Sequence, residues 1–439
     1  MQAIGLALSF LKDIWWILAP FILFLIFRST WLVYVQSAYL SAISWILLEI
    51  KIPKEVGKPP QAMEQIFAGF HGIKSKIDII DKYWIGKVQL WFSCEMVGRG
   101  GTISFFIWTP AQFRNLVEAQ VYAQYPESEI REVPDYTSAM PLDIPNSDTD
   151  LFGIELALAK DDGYPIRSYK EFAIEDIEEE TQKVDPLSAL AEVLSGLKEG
   201  EEIWIQYLVR PAGDEWKDAG QRIIDKLIGR KAKKKKSLLE EIMSELGEYL
   251  GHFKQAIFGS SASEERYEKS DDNGDKTNWT NLTQGEKDIV NAIENNIAKL
   301  GFDTAIRILY IAKRDIFQQS TIAALNGVYK QFNTQNMNGF KRVNLTGGAY
   351  IFKKTRELQM KRNIQLRYRM RQKPDPQMYK FTPYDFLLSP LQKNEHAIFT
   401  LNIEELATIY HFPGGVVTTL SMPRVEAKKG GPPVNLPFA

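Results

Sequence analysis

The chain has 439 residues, 45% hydrophobic and 12% aromatic, enough for a sizeable core and for two to four units of roughly 100 to 200 residues each. With 53 Lys and Arg against 55 Asp and Glu the formal charge is −2, which excludes global steering to nucleic acid or anionic lipid and leaves such roles to local patches. One cysteine excludes a disulfide framework and a cysteine-rich metal site; Cys94 lies in the alternating stretch VQLWFSCEMV and reads as a buried strand thiol.

From Ile14 to Phe27 the chain runs IWWILAPFILFLIF, fourteen uncharged residues that span roughly 21 Å as a helix. Continued through Arg28 to Tyr34 or Val35, the helix reaches about 30 Å, the thickness of a bilayer core. Trp15 and Trp16 then stand at one interface, Trp31 and Tyr34 at the other, and Arg28 snorkels from near the end. The expectation is a transmembrane helix in an anchor over 1–44. A cleaved signal peptide lacks its basic n-region and its A-x-A site, and the other alternative, a buried helix of a soluble protein, is weighed against by the run Phe21 to Phe27, apolar on every face, together with Pro20 inside the segment. Lys51, Lys54 and Lys58 downstream place the body on the cytoplasmic side of the inner membrane.

Val35 to Ser44 keeps helical spacing, then WILLEIKI alternates and stops at Pro53. Gln61 to Ile73 reads as a helix, Val88 to Val97 and Thr102 to Thr109 as strands joined by a GRGG turn, Pro110 opens a helix through PAQFRNLVEAQVYAQY, and SEIREV is a short strand. That order, β-α-β-β-α-β, predicts an α+β fold with a ferredoxin-like unit over 45–150, its helices on one face of an antiparallel sheet. A second round follows. LFGIELALAK, EEIWIQYLVR and FDTAIRILYIAKR are strands, and Pro186 to Leu197, Asp214 to Ile228, Thr283 to Leu300 and Gln318 to Phe332 are helices. These belong either to one larger sheet or to a second ferredoxin-like unit over 151–229 and 283–345, and the second reading is preferred. The insertion 230–282 pairs a KAKKKK run and an amphipathic helix, boxed by Ser237 and Glu240, with a polar stretch expected to be disordered. Lysines beside such a helix suit anionic lipid, or the helix packs on its own domain.

Chemistry-bearing motifs are sparse. No G-x-x-x-x-G-K-[ST] string occurs, Gly98 to Gly101 joins two strands as a hairpin turn, and His71, His252, His396 and His411 are far apart without metal-ligand spacing. The acidic run Glu175 to Glu180 reads as a solvated stretch before a helix, and no nucleophile elbow is present. No catalytic, cofactor or metal residue is therefore assigned, and a non-enzymatic protein is expected. One patch has functional colour. Over Ile351 to Lys373, Lys353, Lys354, Arg356, Lys361, Arg362, Arg367, Arg369, Arg371 and Lys373 face a single acid, Glu357, on a helix. With Tyr350, Phe352 and Tyr368 interleaved, it is a candidate for nucleic-acid or partner contact, phosphates to arginines and bases to rings. The alternative is pairing with acidic surfaces of this protein or another. The region 346–439 adds an extended tail ending Pro-Pro-Val-Asn-Leu-Pro before Phe438 and Ala439.

The stretches IFTLNIEELATIYHFPGGVV, PRVEAKKGGPPVNLP, GFDTAIRILYIAKRDIF, GVYKQFNTQNMNGF and VEAQVYAQYPESEI resemble a membrane-anchored bacterial family. Its members look like the regions that precede the motor domain in type IV secretion coupling ATPases and DNA-pumping ATPases of the FtsK/HerA kind. The resemblance implies an accessory or split half of a conjugation-like or secretion machine, with the lipid bilayer, a separately encoded motor ATPase or other secretion-complex subunits, DNA and further copies of itself as candidate partners. The proline-stiffened tail suits docking of that motor, since little entropy is lost on binding.

Overall fold

A computed structural model describes residues 2–52, 58–141, 143–172, 185–229, 282–346, 353–371 and 397–413. The lysine run and amphipathic helix of the insertion, the acidic run 175–180 and the tail beyond residue 413 lie outside the described residues. Among the described residues nine strands, β1 Trp45–Lys51, β2 Phe92–Arg99, β3 Thr102–Pro110, β4 Glu129–Val133, β5 Thr149–Leu158, β6 Glu201–Pro211, β7 Gly301–Lys313, β8 Phe340–Val343 and β9 Phe399–Asn402, form one antiparallel sheet. Its order is β4-β1-β3-β2-β6-β7-β5-β8, with β9 paired to β7 beside β5.

The order reads the same from either edge. β4-β1-β3-β2 carries the helices α2 Gln61–Phe70 and α3 Arg114–Gln124; β8-β5-β7-β6 carries α4 Ser188–Ser195 and α7 Gln319–Lys330 at the equivalent points in the chain. The halves meet where β2 pairs β6 in register from Phe92↔Val209 to Arg99↔Glu202. Two βαββαβ repeats thus share one sheet. In the first the strands at the seam and beside it, β2 and β3, are a tight hairpin; in the second, α5 Glu215–Leu227 and α6 Gln284–Ile297 intervene between β6 and β7 and pack on each other through Ile224, Ile228, Val290 and Ile293.

Alternation in the strands gives the sheet two apolar faces. On one, Leu48, Ile50, Cys94, Met96, Ile205, Ile306 and Ile308 meet the buried sides of α2, α3, α4 and α7 and of α9 Ile403–Ile409. The caps are written in sequence: Thr283 with Glu286 boxes the start of α6, and Asn402 with Glu405 that of α9.

The helices of both repeats keep to that one face, as expected, and α8 Lys353–Arg369, from outside the repeats, lies on the other, where Ile364 and Tyr368 pack with Leu47, Val97, Phe106, Leu151, Trp204 and Leu309. Gly153 admits it, since a Cβ there would stand 2.8 Å from Ile364. The predicted transmembrane helix is overturned. The first helix, α1, runs Gln2–Ser41 with Pro20 inside, yet among the described residues no helix is long and apolar enough to cross a membrane. Lys12, Asp13 and Arg28 confine its uncharged run to fourteen residues, roughly 21 Å against the about 30 Å of a bilayer core.

Candidate functional site

The face that α8 covers carries polar residues in a row. Cross-strand partners run Arg131, Glu49, Phe106, Glu95, Gln206, Arg307, Glu155 and Val343 from one edge of the sheet to the other. Glu95, Gln206, Arg307 and Glu155 are fully buried at its centre, astride the seam. Burial of charge is costly unless it is paired and hydrogen-bonded, and here the partners come from the sheet itself and from Arg371 just past α8.

Arg371, just past the helix end at a left-handed φ of 45°, reaches back under it. Its guanidinium grips Glu95 at 2.8 and 3.1 Å and Asp135 at 2.6 and 3.0 Å, and lies 5.3 Å from the Trp108 ring. Glu95 also accepts from Ser93 Oγ at 2.6 Å, Tyr136 Oη at 2.8 Å and Gln206 Nε2 at 3.2 Å. Across the seam Arg307 donates to Glu155 at 2.7 Å, to the Gln206 side-chain carbonyl at 3.1 Å and to the Arg367 carbonyl at 3.3 Å, while Asn344 donates to Glu155 at 2.6 Å. Three carboxylates, Glu95, Asp135 and Glu155, stand with three guanidiniums, Arg371, Arg307 and Arg367, so the cluster is neutral.

The ionisations follow from that pairing. Burial alone would raise the Asp135 and Glu155 pKa values, but hydrogen bonds and charge from Arg371 and Arg307 outweigh it and hold both carboxyls below the usual range. Burial works to lower the Arg371 pKa, and Glu95 and Asp135 together raise it. Tyr136 and Tyr368, whose hydroxyls meet at 2.8 Å, are pushed well above the ordinary phenol value by burial.

The residues singled out on the basic helix are thereby divided. Lys361 is buried, 2.8 Å from Asp150 and 3.2 Å from Glu357; Arg367 is half-buried, 3.9 Å from Glu155; Arg369 donates to the Met140 carbonyl at 3.1 Å; Arg371 is wholly enclosed. Lys354, Arg356 and Arg362 are exposed. Lys353 begins the helix, and its side chain, like Lys373, Tyr350 and Phe352, lies outside the described residues. Tyr368 is buried 5.5 Å from the Trp204 ring and offers no stacking platform. Pairing with this protein's own acids, the alternative reading of the patch, describes Lys361 and Arg371. Glu95, Gln206, Arg307 and Glu155 escaped the sequence reading, although each is an ionic or amide group set among apolar neighbours near the middle of its strand, a pattern that asks for a buried partner.

A second feature stands where α1 meets the sheet domain. The C-terminal half of α1 packs on a π-helical turn, Asp81–Ile85. Trp31 Nε1 donates to the Tyr83 carbonyl at 2.7 Å, Arg28 Nη2 to the Tyr83 hydroxyl at 2.6 Å, and Trp31 and Trp84 meet edge-on at 6.0 Å. Gly86, at φ 74°, closes the turn so near α1 that a Cβ would sit 2.2 Å from the Val35 carbonyl oxygen. Around this joint Leu23, Phe24, Phe27, Ile80 and Ile85 are exposed, and Trp84 is 71% exposed.

His411 contacts the Ala407 carbonyl at 2.8 Å and Asp185 at 3.0 Å, burial lowers the His71 pKa, and burial raises that of the Cys94 thiol on β2. Among the described residues no group of His, Cys, Asp and Glu is placed to hold a metal ion.

A family model described as a domain of unknown function, DUF8128, matches residues 39–419. The chain belongs to that family. The match takes in the whole double sheet, α8 and the seam cluster and leaves out most of α1. No curated protein matches the chain.

Proposed function

We propose that this protein is a non-catalytic scaffold that docks on a lipid surface through the face shared by α1 and the 79–85 turn, and presents its double sheet to protein partners. The observation that carries the reading is that exposed apolar face itself, held to the platform by Trp31, Arg28 and Gly86. Contiguous exposed apolar surface marks an interaction site. Trp84, Tyr34 and Tyr83 are the side chains favoured at the boundary of headgroups and acyl chains, and Arg28 and Lys82, both within cation-π reach of the Tyr83 ring, supply cations for the headgroups.

The partner half of the proposal rests on the resemblance to regions preceding the motor in secretion coupling ATPases. The scaffold would hold a separately encoded motor ATPase, or other subunits of a type IV secretion or conjugation-like machine, at the cytoplasmic membrane. Flotation of the full chain with phospholipid vesicles tests the lipid half. Wild type should rise with the vesicles, and the exposed double change Ile80→Ser, Trp84→Ser should leave much of it at the bottom of the gradient. Wild type that stays down with both neutral and anionic vesicles overturns it. Recovery of no nucleotide-hydrolysing protein with the detergent-extracted chain overturns the partner half.

Lys354, Arg356 and Arg362, exposed on the outer side of α8, favour one second reading, a nucleic-acid contact. Charge reversal of these three should abolish salt-dependent binding of single-stranded DNA, and unchanged affinity ends that reading.

A further inference from the structure

The two repeats are finished differently over their helix-covered face. In the first, Phe412 packs beside α3, its ring edge-on to Phe105 of β3 and to Tyr125 just past the helix, with centroids 5.3 Å apart in both pairs. In the second, the space between α7 and the strands β5 and β8 is a cavity of about 330 Å³. Its walls include the apolar side chains of Ile154, Leu156, Leu325 and Phe340, and Lys330 and Arg342, both exposed, stand at its margin. Asn326 lines it too, and its side-chain carbonyl oxygen is buried with no hydrogen-bond partner among the described residues. A buried acceptor left unmet is a standing cost, which a ligand carrying a donor removes.

We propose that this cavity binds a small amphipathic carboxylate that also carries an N–H donor, an N-acylated amino acid being the simplest such molecule. Its apolar chain lies against Leu156, Leu325 and Phe340, its carboxylate faces Lys330 and Arg342, and its N–H donates to Asn326 Oδ1. The volume lies at the small end of ligand sites, roughly 300 to 1,000 Å³, and the site has the usual make-up of an apolar lining with a few converging polar groups. Charge selects the acid, and the orphaned acceptor selects the donor.

The test is calorimetry on the full chain with three probes: N-octanoylglycine, its methyl ester, which lacks the charge, and octanoate, which lacks the N–H. N-octanoylglycine should bind more tightly than either. Arg342→Glu, at an exposed position, should weaken it about tenfold, the loss of one charge-assisted contact, and leave the ester unchanged. Asn326→Leu should erase its advantage over octanoate. Leu325→Trp, which fills the cavity, should abolish binding while leaving vesicle flotation intact, separating this site from the lipid-docking face. Equal affinity for the three probes, no saturable binding to wild type, or full affinity in both Arg342→Glu and Leu325→Trp would overturn the proposal.

Discussion

The two halves of the sheet share a strand order and diverge in everything laid upon it. The first is closed by a hairpin between β2 and β3 and has Phe412 packed beside α3; the second separates β6 from β7 by two helices and leaves a cavity under α7. The lesson is that a βαββαβ scaffold fixes where a space arises, while elements from elsewhere in the chain decide whether it is filled. The seam obeys the same logic: β2 and β6 bring Glu95 and Gln206 face to face, and α8, arriving from far along the chain, satisfies them.

The sharpest way to break this comparison is at the seam that makes two repeats one body. Arg371→Ala leaves Glu95 buried without its guanidinium and should lower stability by about 3–5 kcal/mol in urea unfolding. A loss under about 1 kcal/mol would mean the ion pairs do not hold the halves together. Next in size is the contrast of filled and open spaces. Phe412→Ala should cost about 3–5 kcal/mol, and Leu325→Ala, beside a cavity already present, toward the lower end at about 2 kcal/mol. Equal losses would erase the distinction between the repeats.

Gly153→Ala sets a methyl against Ile364 and should cost about 1–3 kcal/mol, and the double change with Ile364→Val should cost less than the sum of the single ones. The smallest expected effect is on pH dependence. Asp135 has a folded-state pKa below its unfolded value, so its contribution is present above the unfolded value of about 3.9 and fades as pH falls through the folded one. The stability gap between wild type and Asp135→Asn, read from thermal unfolding, should therefore be full at neutral pH and shrink on acidification below pH ~4. A gap that grows on acidification would contradict the Arg371 pairing.

Much of this fold could be read residue by residue. Gln318 to Phe332 as a helix is observed as Gln319–Lys330, and Pro186 to Leu197 as Ser188–Ser195. The strand expected from Val88 begins only at Phe92, because Gln89 turns its side chain to Ser75 and the Ile73 carbonyl, a contact between positions distant in sequence. The basic helix was visible, but which way it faces was not. Its inward stripe is Lys361, Ile364, Gln365, Tyr368 and Arg371, at helical spacing yet mostly polar, so a reading keyed to apolar residues could not distinguish the buried side from the wet one.

By itself the amino-acid order determined the elements, because alternation, caps and prolines act over a few residues and bear the same signature wherever they occur. It also determined the α+β class and the absence of any disulfide. The tertiary structure alone decided that the two repeats join edge to edge, that Arg371 and Lys361 turn inward to acids, and that a cavity stands under α7. Those outcomes depend on pairings more than a hundred residues apart, such as Phe92 with Val209, whose energy exists only once both partners are buried together.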